Sequence, residues 1–126
     1  GEIQEGQIWE AAMFAGARRV ERLIAILDYN RVQLTGRMDD VLSVEPLAEK
    51  WQAFGWQTLT CDGHAMGEVV ETIERAKEAS ASGPVILIAR TVKGKGVSFM
   101  EDQFAWHGKA PNAEEAERAL AEVRRR

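Results

Sequence analysis

The chain predicts an α/β fold, a parallel sheet doubly wound as α/β/α. Three observations carry that reading: apolar runs of strand length, amphipathic stretches of helical period between them, and polar or glycine-bearing segments directly after each run. With 126 residues the chain is sized for one domain, spanning 1–126, with its own core.

The elements follow in order. Ile8, Ala11, Ala12 and Ala15 mark one face of a first helix. Leu23 to Leu27 reads as a buried strand, apolar throughout, as parallel strands covered on both faces are. Leu47, Trp51 and Phe54 mark a short second helix, with Pro46 near its start and Gly55 at its end. Trp56 to Thr60 predicts a second strand, and Val69, Val70, Ile73, Ala76 and Ser80 the apolar face of a third helix. Val85 to Ala89 is a third strand, again apolar throughout. Asn112 and Glu115 predict a capping box opening a last helix, with Ala116, Ala119, Leu120 and Val123 as its stripe. Trp9, Trp51 and Trp56 are expected in the core or an interface.

Composition excludes several classes. A net charge of −4, with no basic stripe, argues against a nucleic-acid surface. Arg124, Arg125 and Arg126 form a basic end, suited to the carboxyl end of a helix. No stretch approaches the roughly 20 apolar residues that span a bilayer, and no secretory signal is expected. Cys61 is the only cysteine, so no internal disulfide forms and the cytoplasm is the expected compartment.

In open parallel sheets ligands bind beyond the carboxyl ends of the strands. The segments expected there are Asp28-Tyr29-Asn30-Arg31-Val32, Cys61-Asp62-Gly63-His64 and Thr91-Val92-Lys93-Gly94-Lys95-Gly96, with Gly1 to Gly6 entering the first helix. Gly1 to Gly6 suits a phosphate cradle at a helix amino end, or a plain strand-to-helix turn. Asn30 is either a turn residue bonding its own backbone or, through its neutral amide oxygen, a ligand of a hard cation. Lys93 to Gly96 lacks the spacing of a nucleotide loop and reads equally as a basic flap or a solvated turn. His107, between Trp106 and Gly108, suits an acid, a base or a phosphate donor, or only packs. Cys61 and His64 have no second pair with which to hold zinc.

Gly1 to Ala11, Asp28-Tyr29-Asn30, Glu45 to Trp51, Asp62-Gly63-His64, Thr91 to Met100 and Trp106 to Pro111 together resemble the diphosphate-binding domain of thiamine diphosphate-dependent transketolases. The resemblance runs from the first residue to about Glu122 and is nearest the split form, in which this domain is a separate amino-terminal subunit. The family's cofactor motif is G-D-G, then an asparagine slightly under thirty residues later; Gly1 and Asn30 match its last glycine and its asparagine. The resemblance implies that the motif's aspartate precedes Gly1, and a fold truncated at its N-terminal side. It implies magnesium, or calcium, held by the Asn30 side chain and the Val32 carbonyl. Gly1, Glu2, Asn30 and His107 are the implied cofactor contacts. His107 and Glu5 are the implied catalytic residues, His107 facing the substrate and Glu5 linking two cofactor sites across a dimer interface.

The implied reaction moves a two-carbon ketol unit from a ketose phosphate to an aldose phosphate. The glutamate that activates the cofactor's aminopyrimidine belongs to another domain. The implied partner is therefore a pyrimidine-binding, carboxyl-terminal transketolase subunit, in a homodimer or a heteromer. Alternatives are another thiamine enzyme, such as a deoxyxylulose-phosphate synthase or a 2-oxo acid dehydrogenase, and a noncatalytic interaction module.

Overall fold

The computed structural model describes residues 1–125; Arg126, the tip of the basic end, lies outside the described residues. Strand β5 (Val85–Arg90) sits between β1 (Ile24–Tyr29) and β4 (Gln57–Asp62) and runs parallel to both. Tyr29 and Asp62 both stand opposite Arg90, so the three strands finish together on one edge. The strands run past the apolar runs that predict them, because the backbone ladder continues through Asp28, Tyr29 and Asp62 whatever their side chains.

Helices cover both faces. On one, α1 (Gly6–Ala17) and α3 (Leu47–Ala53) pack Ala12, Ala15, Leu47 and Trp51 with Trp56, Ile86 and Ile88. The indole N–H of Trp56 donates to the Ala12 carbonyl at 2.8 Å, a buried bond joining the segment before β4 to α1 and contributing about 1 kcal/mol net. Trp9 and Trp51 meet at 5.7 Å and Trp51 and Trp56 at 4.8 Å, so the expected aromatic core is present, with Trp9 partly exposed. Gly16 lets α1 touch the next chain segment: a Cβ there would lie 1.7 Å from the Phe54 carbonyl oxygen. Gly55 leaves α3 at φ +89°, a left-handed exit that glycine takes without strain. On the opposite face α4 (Met66–Ala79) packs on β4 and β5 through buried Thr72 and Ala76.

Three expectations are corrected. Among the described residues only β5 is covered on both faces; β1 is an outer strand of the three, and Ile26 on it is 62% exposed. Val70 is 55% exposed, because the buried stripe of α4 runs through Thr72 together with the expected Ala76. The predicted stripe of α5 (Ala113–Val123) is only half covered: Ala116 and Ala119 are partly buried, but Leu120 is 50% and Val123 52% exposed. Its amino end is as expected: Asn112 accepts from the Glu115 N–H at 2.9 Å and Glu115 accepts from the Asn112 N–H at 2.8 Å.

A small antiparallel hairpin, β2 (Val32–Gln33) and β3 (Gly36–Arg37), follows β1 and feeds the single turn α2 (Met38–Val41). Two-residue strands leave no alternation to read, which is why the sequence carries no sign of them.

Candidate functional site

The carboxyl ends of the strands are tied to one another. Thr91, just past β5, donates its hydroxyl to the Asp28 carboxylate at the end of β1. The Gly63 N–H after β4 donates to the Arg90 carbonyl at 2.8 Å. His64 accepts the Val92 N–H on Nε2 at 2.8 Å, so it is engaged in joining two loops. Among the described residues no cluster of three or more His, Cys, Asp or Glu is placed to hold a metal.

A cleft of about 180 Å³ opens at this edge. Gly1, Glu2, Gln4, Asp28, Asn30 and Val32 are among the residues that line it. The first segment of the chain and the turn after β1 therefore share one cavity, while the segments after β4 and β5 are not in its lining. Glu2 to Gln4 form one 3-10 turn, and α1 starts at Gly6 with Glu5 as its extended cap.

Local geometry fixes Asn30. Its Oδ1 accepts the Val32 N–H at 2.9 Å, the Asx bond that asparagine makes in turns. The turn reading of Asn30 is thus realised, and Oδ1 keeps a second lone pair for a ligand. Arg31, between them, has φ +59°, a conformation that residues with a Cβ seldom adopt. The hairpin brings the chain back so that the Met38 N–H donates to the Arg31 carbonyl at 2.9 Å. The Arg31 guanidinium pairs with the Asp39 carboxylate, which raises its already high pKa through that hydrogen bond.

On the other side of Asn30, the Tyr29 hydroxyl donates to Glu45 Oε1, while Glu45 Oε2 accepts the Leu47 N–H at 2.7 Å. One carboxylate thus joins the end of β1 to the first turn of α3. Partial burial, with the Glu45 bond second, pushes the Tyr29 phenol up to about 12. The same bond holds Glu45 below the usual carboxylate range.

The donor set can be tested against a magnesium-bound diphosphate. The Asn30 amide and the Val32 carbonyl are neutral oxygens, which suit a hard cation that takes its remaining ligands from phosphates and acidic groups. The buried amide atoms Gln4 Oε1 and Gln33 Nε2 have no hydrogen-bond partner among the described residues, and both residues line this cleft. A polar cavity with unspent donors and acceptors fits a polar occupant. The residues present fit the group.

Two of the expected residues lie elsewhere. Glu5 is exposed at the start of α1, its side chain making no capping bond, and is not in the lining of the cleft. His107 is exposed at the end of the turn Phe104–Trp106 and is also outside that lining. Its neighbour Trp106 is anchored: the indole N–H donates to the Phe99 carbonyl at 3.1 Å, and Lys109 Nζ stands 4.2 Å from the ring centroid. Lys93 to Gly96 forms a turn closed on itself, with the Asp102 N–H on the Lys93 carbonyl at 3.0 Å and Lys95 3.8 Å from Glu101.

Sequence reasoning missed Tyr29, Glu45, Arg31 and Asp39 as a set. Their pairing depends on the hairpin and the α3 approach, neither of which leaves a pattern in the chain.

Comparison with known proteins gives a consistent result. The family described as transketolase, thiamine diphosphate binding domain, matches residues 1–123. A 6-deoxy-6-sulfo-D-fructose transketolase subunit from a Clostridium species is 46% identical over 123 residues, covering 98% of this chain and 44% of that protein. An apulose-4-phosphate transketolase subunit from Phocaeicola vulgatus is 41% identical over 126 residues, covering 100% of this chain and 44% of that protein. The solved transketolase of Campylobacter jejuni superposes with a TM-score of 0.89 at 28% identity, over 98% of this chain and 19% of that one. The chain thus spans less than half the length of these relatives.

Proposed function

This chain belongs to the transketolase family through its thiamine diphosphate-binding domain, and from that premise we propose that it is the diphosphate-binding half of a transketolase site. The reaction proposed is transfer of a two-carbon ketol unit from a ketose phosphate to an aldose phosphate. The observation that carries this reading is the shared cleft of Gly1, Asn30 and Val32 at the carboxyl edge of the sheet.

Asn30 Oδ1 and the Val32 carbonyl would hold magnesium, with calcium as the substitute of the same ligand preference. Gly1, which has no side chain, and Glu2 would flank the diphosphate. When bound, thiamine diphosphate supplies carbanion stabilisation at the carbon that bonds the ketol unit. His107, exposed beside an anchored Trp106, would contact the diphosphate and the sugar phosphate. Glu5, exposed at the head of α1, would link this site to a second one across an interface. A pyrimidine-binding subunit completes the site, in a homodimer or a heteromer.

Calorimetric titration of thiamine diphosphate with magnesium, with and without the pyrimidine-binding partner, tests the reading. Magnesium-dependent heat supports it; silence of both samples at saturating cofactor sinks it. Product analysis with xylulose 5-phosphate and ribose 5-phosphate, against pyruvate, then separates ketol transfer from the chemistry of other thiamine enzymes.

A further inference from the structure

We propose that Asp39 is a positioning residue for the cation site, acting through Arg31 on the turn that presents Asn30 and Val32; this rests on the proposed diphosphate-binding function. The two residues assigned to the cation are separated by one residue, and that residue is left-handed at φ +59°. Arginine has no intrinsic reason to adopt that conformation, so the surroundings must hold it there. A strained backbone between two ligand positions is where imposed geometry is expected to serve a site.

Besides the Asx bond from the Val32 N–H to Asn30 Oδ1 at 2.9 Å, three contacts hold the turn. Tyr29 is fixed by Glu45, which is itself fixed to the Leu47 N–H. The Arg31 carbonyl is fixed by the Met38 N–H at 2.9 Å. The Arg31 side chain is fixed by Asp39, one residue further along the same returning segment. The first two contacts do not constrain the Arg31 side chain, so its pull on the turn is supplied by Asp39. The pair is half exposed, with side-chain accessibilities of 49% and 47%, and its effect is accordingly modest.

The test titrates thiamine diphosphate with magnesium into the protein and three variants, each with the pyrimidine-binding partner present, with thermal unfolding run in parallel. Asp39→Ala is expected to weaken magnesium-dependent affinity about fivefold while the protein stays folded. Arg31→Asn in the same chain is expected to bring affinity back to within about twofold of wild type, because asparagine tolerates the left-handed turn unaided. That double variant keeps the net charge of wild type, so recovery isolates the turn from the charge. The third variant, Asp39→Glu, keeps the carboxylate and is expected to retain most of the affinity.

Unchanged affinity in Asp39→Ala, or a double variant as weak as Asp39→Ala, overturns this inference and leaves the cofactor reading standing. A wild-type protein that takes up no cofactor even with the pyrimidine-binding partner present overturns both.

Discussion

Asn30 Oδ1 accepts the backbone N–H of Val32 at 2.9 Å, so the two residues proposed to face the cation are coupled by one hydrogen bond. The bond orients the amide oxygen and leaves it a second lone pair. A turn residue and a metal ligand are therefore compatible roles for one asparagine.

Asn30→Ala removes both the oxygen and the turn bond. Magnesium-dependent binding of thiamine diphosphate is expected to fall by at least about tenfold, the scale of a charge-assisted interaction. Asn30→Asp retains an acceptor for Val32 and an oxygen for the cation and is expected to lose less. Calorimetry of the two variants side by side checks the order.

The Tyr29–Glu45 bond has a pH signature at each end. Glu45 is held below the usual carboxylate range, so its contribution to stability is present above the ordinary glutamate pKa and is lost as pH falls through its lowered value. Tyr29 is raised to about 12, so its contribution is full below the ordinary tyrosine value of 10 and disappears as pH climbs from there through about 12. Thermal unfolding of wild type and Tyr29→Phe is expected to show a constant difference from about pH 6 to 9, as both lie between those limits. That difference should narrow on the acid and alkaline sides.

Gly16 packs against backbone, not against a side chain that could swing away. Gly16→Ala would place Cβ 1.7 Å from the Phe54 carbonyl oxygen, so α1 and the segment after α3 must separate. A loss of about 3 kcal/mol is expected, at the upper end for overpacking a core. Gly6→Ala, whose Cβ would meet nothing within 4 Å, serves as the control and is expected to be neutral. Chemical denaturation of both variants measures the contrast.

Asn112 caps α5 reciprocally with Glu115. Removing the cap with Asn112→Ala should speed amide exchange across the first turn of α5 about fivefold, the equivalent of one lost cap. Exchange in β5, buried at the centre of the sheet, should not change.

Legibility in the chain followed the physics of each segment. β5 was readable because Val85 to Ile88 are buried on both faces, which is what a short, continuous apolar run encodes in a parallel sheet. β1 carries the same apolar signal, yet among the described residues it is an outer strand with Ile26 exposed, since hydrophobicity alone does not report what lies on each side. The cap of α5 was readable because its two residues are three apart; the solvent-facing Leu120 and Val123 were not, because covering is a tertiary property. At the site, Gly1, Asn30 and Val32 line one cleft, Asn30 directly after β1 and Val32 at the start of the hairpin that follows. The Asp39 and Glu45 contacts depend on a two-residue hairpin and on the approach angle of α3, which no local pattern encodes.

Where the cation sits decides the function proposed for this chain, and anomalous diffraction from crystals grown with thiamine diphosphate and manganese in place of magnesium measures that directly. The predicted result is one anomalous peak in the Gly1 cleft, in contact with Asn30 Oδ1 and the Val32 carbonyl. A peak bound to other residues, with that cleft holding neither metal nor diphosphate, would contradict it.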